Sequence, residues 1–165
     1  MHTTRRALLL VLVSLAVSSG VATHAQAPPA GPRRIVVLSD LHMGQGRDAG
    51  GRWLATEDFR WAADLEQFLR ALAAEAGATD LILNGDTFDL TESAEVACAH
   101  EAADLGCTET EALARLERVL GAHRRELEAF GAFAGRADNR VVIVPGDHDA
   151  ALLFPAVGGR ALAAF

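Results

Sequence analysis

Residues 81–89, Leu-Ile-Leu-Asn-Gly-Asp-Thr-Phe-Asp, join a short apolar run to a loop that carries two aspartates. Two similar runs lie on either side of it, Ile-Val-Val-Leu at 35–38 and Val-Val-Ile-Val at 141–144. Short apolar runs that are rich in β-branched side chains and do not alternate with polar residues favour strands buried on both faces. We therefore expect three buried strands at the centre of this protein.

A helical pattern lies between the first two runs. Its apolar residues recur at helical spacing and are Trp61, Leu65, Phe68 and Leu72. Glu57 and Asp58 precede them, where a helix amino terminus favours negative charge, and Gly77 is a suitable stop. We expect one helix here.

A second helical pattern lies between the second and third runs. It opens with Thr108-Glu109-Thr110-Glu111, a capping-box pattern. An apolar stripe continues through Leu116, Leu120 and Leu127, and glycines at 121 and 131 predict that the helix bends or divides.

The alternation of strands and helices predicts the fold class. Strand, helix, strand, helix, strand is typical of βαβαβ units, in which right-handed crossovers connect parallel strands. The chain has 165 residues, half of them apolar, which suits one packed domain. We predict an α/β fold.

Ionisable residues follow each apolar run within a few positions. They are Asp40 and His42 after the first run, Asp86 and Asp89 after the second, and Asp147, His148 and Asp149 after the third. Ligands bind at the carboxyl ends of parallel strands, so we expect the three segments to converge. Each segment taken alone is also consistent with ordinary turn chemistry.

Several carboxylates in one crevice would repel one another unless some are protonated or cations neutralise them, and cations are the simpler answer. Oxygen and imidazole ligands without a thiolate favour manganese, iron, zinc or magnesium. A carboxylate between two such ions can bridge them, an arrangement that binds a phosphoryl group and acidifies a water molecule. The pattern therefore predicts a centre for two divalent metal ions.

The three segments, Asp-x-His, Gly-Asp-x-x-Asp and Gly-Asp-His-Asp, resemble the motif series of the calcineurin-like metallophosphoesterases. The resemblance runs from about Arg34 to the end of the chain and is to the amino-terminal part of such enzymes. It implies two β-sheets packed together with helices outside, and a metal-activated hydroxide that attacks phosphorus in line.

The resemblance also implies residue roles. Asp40 and His42 would hold the first metal, Asp86 would bridge, and Asp147 would hold the second. His148 would contact the scissile phosphate and protonate the leaving group.

Further residues would support this site. Asp149 would steady His148, whereas Asp89 and Asn84 would lie just outside the ligands and hold the loop. Arg47 and Arg52, in a glycine-rich segment after His42, are candidates to meet the substrate phosphate, although that segment is equally consistent with a flexible surface loop.

Two features depart from the family pattern. Position 147 is Asp where the pattern has Asn, which adds a negative charge, so we expect slower turnover than in an Asn form. No histidine follows His148, although the family supplies further histidine ligands beyond the third motif. We therefore expect residues 34–165 to be a domain that is truncated at its carboxyl end.

Residues 1–27 are typical of an export signal. Met1 to Arg6 is short and basic, 7–17 is apolar apart from one serine, and Ala25-Gln26-Ala27 suits signal peptidase. The alternative, a membrane anchor, needs an apolar stretch of about 18–20 residues. Export by the Sec or the twin-arginine route would place the protein in the periplasm or outside the cell, with residues 28–33 as a linker and no stable anchor after cleavage.

In an oxidising compartment, Cys98 and Cys107 are expected to form a disulfide, the alternative being two free thiols. His100 lies between them in a polar loop. His123 falls on the apolar stripe of the second helix, where we expect a packing role.

Composition limits the function further. The formal net charge is −7, which argues against nonspecific binding of nucleic acid. The sequence contains no lysine and no tyrosine, which excludes a lysine nucleophile and a tyrosine acid. We predict an exported metal-dependent phosphoesterase that acts on phosphomonoester, phosphodiester or pyrophosphate bonds of a small or lipid-linked substrate. The alternative is a catalytically inactive fragment that at most binds metal or a partner.

Overall fold

The computed structural model describes residues 32–93, 98, 101–102, 106–136 and 138–165. The expected export signal, most of the expected linker and His100 lie outside the described residues. The elements in chain order are β1 (Arg34–Leu38), α1 (Ala62–Ala74), β2 (Thr79–Asn84), β3 (Glu101–Ala102), β4 (Gly106–Cys107), α2 (Glu109–Ala122), α3 (Arg124–Ala134), β5 (Arg140–Val144), a 3-10 helix (Ala150–Leu153) and α4 (Pro155–Leu162).

The three apolar runs form one parallel sheet, in the order β1-β2-β5. Val36 pairs with Leu81, and Leu81 pairs with Val141, so the strands lie in register and end at the same edge. Helices flank this sheet, and the predicted α/β fold is confirmed. The small β3–β4 ladder is antiparallel, and the predicted disulfide joins Cys98 to Cys107 of β4.

The prediction that the strands are buried on both faces is wrong. Leu81 and Leu83 are fully buried, but on the opposite face side chains of the outer strands β1 and β5 are exposed. The exposed positions are Ile35, Val37, Val142 and Val144. Within the described residues, no second large sheet covers this face. Successive strand residues point to opposite faces, so a continuous apolar run does not reveal whether both faces are covered.

Helix α1 is present as predicted, but only Leu65 and Leu72 of the predicted apolar stripe are buried. Leu65, Leu69 and Leu72 enter the core, whereas Trp61 and Phe68 are exposed. The spacing of the buried residues follows the i, i+4, i+7 pattern of one helix face.

The second helical pattern divides as predicted. Thr108 and Glu111 form the capping box at the start of α2, in which each side chain bonds the backbone of the other residue. The helix ends at Ala122, and α3 begins at Arg124 after the single residue His123. Gly131 lies within α3 and does not interrupt it.

Candidate metal centre

Backbone hydrogen bonds join the three loops that follow the strands. The amide of His42 donates to Asp86 O at 2.9 Å, and the amide of Gly85 donates to Val144 O at 2.8 Å. The amide of Leu90 donates to His148 O at 3.1 Å. The strand ends therefore converge, as the parallel order predicts.

Three of the candidate residues adopt left-handed backbone conformations. Their φ angles are 55° for Asp40, 46° for His42 and 51° for Asp86. Such conformations cost non-glycine residues about 1–3 kcal/mol each and concentrate at functional sites. The surrounding hydrogen bonds hold this strain where the three loops meet.

Gly146 allows the third loop to approach the second. A Cβ atom at this position would lie 2.2 Å from Asp86 Oδ1 and 2.7 Å from Asp86 N. No side chain fits there, so the close approach of the two loops requires glycine at this position of the third motif.

Asp40, His42 and Asp86 form the first of two ligand groups. Each offers one atom, and these atoms all lie within 4.8 Å of one another. His42 Nε2 lies 4.0 Å from both Asp40 Oδ1 and Asp86 Oδ2. Two carboxylates and one imidazole suit Mn, Fe, Zn or Mg.

His42, Asp89 and His148 form the second group, with the same separation limit. His148 Nδ1 lies 3.5 Å from Asp89 Oδ1, and the two imidazole rings meet edge to face with centroids 4.5 Å apart. Asp89 Oδ1 also accepts bonds from the amide and the hydroxyl of Thr91, at 3.0 and 2.7 Å. His42 belongs to both groups, so the two groups form one continuous cluster.

Asp86 links the first group to the third loop. While its Oδ2 faces His42, its Oδ1 accepts a hydrogen bond from the backbone amide of His148 at 3.0 Å. The carboxylate therefore lies between residues of the first and third motifs.

Asp149 is expected to contact the His148 ring, but its carboxylate bonds backbone amides instead. Its buried carboxylate accepts bonds from the amides of Gly146 at 2.6 Å, Thr87 at 2.9 Å and Phe88 at 3.2 Å. Burial raises the pKa of Asp149, although these amides favour the charged form. Adjacent residues direct their side chains differently: among the described residues, Asp149 ties two loops together, and Asp89 faces the His148 ring.

The remaining candidates lie outside these groups in the described part of the chain. Asp147 is exposed, and Asn84 is exposed at the end of β2. Arg47 stacks on Trp53 at 3.7 Å, and Arg52 pairs with Asp48 at 2.9 Å. Both arginines are thus held within their own loop.

Sequence reasoning missed a buried support beneath the second group. The Arg115 guanidinium, on α2, donates to Leu90 O at 2.8 Å and to Thr91 O at 2.6 Å. It therefore braces the loop that carries Asp89. The sequence places Arg115 on the same helix face as the apolar stripe of α2. A buried arginine needs hydrogen-bond acceptors, so this position could have indicated the contact.

Comparison with known families gives one result. Residues 33–161 match the family model described as calcineurin-like phosphoesterase. Neither the curated proteins nor the solved structures include a significant match. No helix in the described ranges combines the length and apolar character needed to cross a bilayer. The family match extends over most of the chain and contains all three motif loops, so this protein belongs to the calcineurin-like phosphoesterase family.

Proposed function

We propose that this protein is an exported, metal-dependent phosphoesterase that hydrolyses a phosphomonoester, phosphodiester or pyrophosphate bond. One observation carries the proposal: residues from three strand ends form two ligand groups that share His42. Family membership supports the reaction class.

The donor set fits divalent ions, and the ligand roles are as follows. Asp40, His42 and Asp86 would hold the first ion. The motif resemblance assigns the second ion to Asp86 and Asp147, although Asp147 is exposed and lies outside both ligand groups. When bound, the ions would neutralise the carboxylates, bind phosphoryl oxygen and lower the pKa of a water molecule. Without them, the acidic cluster would repel an anionic substrate.

His148 is suited to give a proton to the leaving group. Its Nδ1 faces Asp89, so a proton on Nδ1 would be held by that carboxylate and Nε2 would remain for the substrate. The bond from its amide to Asp86 fixes the backbone of the same residue. Histidine is the side chain that most often acts as a general acid in enzymes. Asp149 would act by holding the loop in place.

The substrate would be a phosphorylated small molecule or a lipid-linked phosphate outside the cytoplasm. The Cys98–Cys107 disulfide supports export, because disulfides persist in oxidising compartments. Residues 1–27 would supply the export signal.

Hydrolysis of bis(4-nitrophenyl) phosphate and 4-nitrophenyl phosphate, with and without Mn²⁺, tests the proposal. We expect Mn²⁺-stimulated release of nitrophenol by this chain and its loss in Asp40→Ala. Asp64→Ala is the matched control, since Asp64 is exposed on α1. Equal rates for Asp40→Ala and Asp64→Ala would refute the proposed role of the cluster.

The open sheet face supports a second candidate, a chain that binds metal or a partner without hydrolysis. Ile35 and Val37 are 65% and 56% exposed on this face. Mn²⁺ binding by calorimetry without turnover of either substrate would favour this candidate.

A further inference from the structure

A chain of buried ionisable side chains lies beside the glycine-rich loop. Glu57 is fully buried, and His123 and Glu126 are 1% and 6% exposed. His123 Nε2 lies 3.2 Å from Glu57 Oε2, and its Nδ1 lies 3.1 Å from Glu126 Oε1. The imidazole therefore bridges two carboxylates at the junction between α2 and α3.

Glu57 fastens both ends of the loop that it terminates. Its Oε2 accepts from the amide of Gly46 at 2.6 Å, and its Oε1 accepts from the amides of Phe59 at 2.9 Å and Gly44 at 3.4 Å. Gly44 is only two residues from His42. The carboxylate thus connects the backbone beside the metal cluster to the start of the segment that leads into α1.

The loop is also pressed against the end of α2. Gly46 has a φ of 75°, and a Cβ atom there would lie 2.8 Å from the Cβ of Ala122. His123, which holds Glu57, is the next residue. One helix end therefore supplies both the surface and the charge that fix the loop.

Hydrogen bonds continue from this anchored loop into the candidate centre. Met43 is fully buried; its amide donates to Thr87 O at 3.1 Å, and its carbonyl accepts from the Asp89 amide at 2.9 Å. The His42 amide donates to Asp86 O at 2.9 Å. An unbroken series of hydrogen bonds therefore connects Glu57 to the loops that carry the candidate metal ligands.

Charge complementarity stabilises the arrangement. Burial disfavours protonation of His123, but the bonds to both carboxylates outweigh it and raise its pKa to about 9. Burial likewise disfavours ionisation of Glu57, yet His123 and the loop amides hold its pKa below the ordinary value. The pair is therefore charged at neutral pH.

We propose that Glu57, held by His123, is a positioning residue that fixes the backbone after His42 and thereby the imidazole shared by both ligand groups. Its role in catalysis rests on the proposed function, but its effect on the loop and on metal binding does not require turnover. His42 has a strained backbone, so it needs such support from its neighbours.

Hydrogen exchange of individual amides, combined with Mn²⁺ calorimetry, tests this role in the full chain. Glu57→Gln keeps the shape of the side chain but places an NH₂ group where a carboxylate oxygen accepts from amides. We expect exchange at His42, Met43 and Gly46 to accelerate at least about tenfold, with Mn²⁺ binding weakened by a similar factor.

Glu126→Gln is the control, since Glu126 touches His123 but not the loop, and it should leave both readouts within about twofold. If Glu57→Gln does not fold, Gly46→Ala is the second variant, because it displaces the loop from Ala122 without changing a charge. We expect it to give the same faster exchange and weaker Mn²⁺ binding. Unchanged exchange at His42 and Met43 in the folded variant would overturn the proposal. If the parent chain binds no Mn²⁺ or shows no turnover, the proposed function fails, while the exchange result still decides the positioning role.

Discussion

The carboxylate of Asp86 accepts a hydrogen bond from the backbone amide of His148, 62 positions later in the chain. The other oxygen of the same carboxylate lies 4.0 Å from His42 Nε2. One side chain therefore connects the first and third motif loops, and the geometry depends on how closely the third loop can approach.

Gly146→Ala should disrupt this contact. The added Cβ atom would overlap Asp86 Oδ1 and the Asp86 amide, so one of the two loops must move. Forced overpacking costs about 1–3 kcal/mol, and we expect a lower melting temperature together with weaker Mn²⁺ binding. Gly121→Ala is the control, because Gly121 lies in α2 with open space around it, and alanine there favours the helix. Equal losses of metal affinity in both variants would contradict this account.

Stability should fall in mildly alkaline solution. The pKa of His123 is raised to about 9 from an ordinary 6.5, so its stabilising effect is complete below pH 6.5 and is lost as the pH rises through about 9. The shift corresponds to roughly 3 kcal/mol, or on the order of 10 °C in melting temperature.

The composition of the chain leaves few other groups that could change its stability in this pH range. The chain has no lysine or tyrosine, and Cys98 and Cys107 are joined in a disulfide, so few other side chains titrate between pH 7 and 10. We expect thermal melting monitored by circular dichroism to give a falling curve for the parent and a flatter one for His123→Gln. A parent curve that does not change from pH 6.5 to 10 would refute a charged His123 between Glu57 and Glu126.

Asp147→Asn should increase the rate of hydrolysis. Asp147 is exposed beside His148 and adds a negative charge that opposes an anionic substrate. We expect a gain of up to roughly tenfold, equivalent to about 1.4 kcal/mol of barrier. Steady-state kinetics with Mn²⁺ decide the point, and an equal or slower rate in the variant would disprove it.

The open sheet face should promote self-association of the isolated chain. Val37 on β1 and Val142 on β5 are 56% and 41% exposed, and each pairs with Ile82 of β2, which lies between them. Contiguous apolar surface of this kind is an association hazard. Light scattering should detect aggregates in the parent and fewer in the double variant Val37→Thr and Val142→Thr. A monodisperse parent sample would contradict this expectation.

The sequence predicted the strands and the convergence of the motifs because both follow from local patterns. β-Branched runs such as 141–144 form strands, and the parallel order brings their carboxyl ends to one edge. The exposure of Val37 could not be predicted, since an apolar run carries no information about what covers each face.

Contacts between distant residues were also hidden from local patterns. The sequence predicts Glu57 at a helix amino terminus, but α1 begins five residues later, at Ala62. The partner of Glu57, His123, lies 66 residues away and is defined only by packing. Asp149 follows His148 directly, yet it bonds the backbone of the second loop, which only the fold brings near.

The most direct test of the central claim is Mn²⁺ binding by isothermal titration calorimetry to the parent chain and to His42→Ala. His42 belongs to both ligand groups, so its loss should weaken binding at least about a hundredfold, equivalent to about 2.7 kcal/mol. A parent chain that binds no Mn²⁺, or a His42→Ala variant with parental affinity, would contradict a shared metal centre at the strand ends.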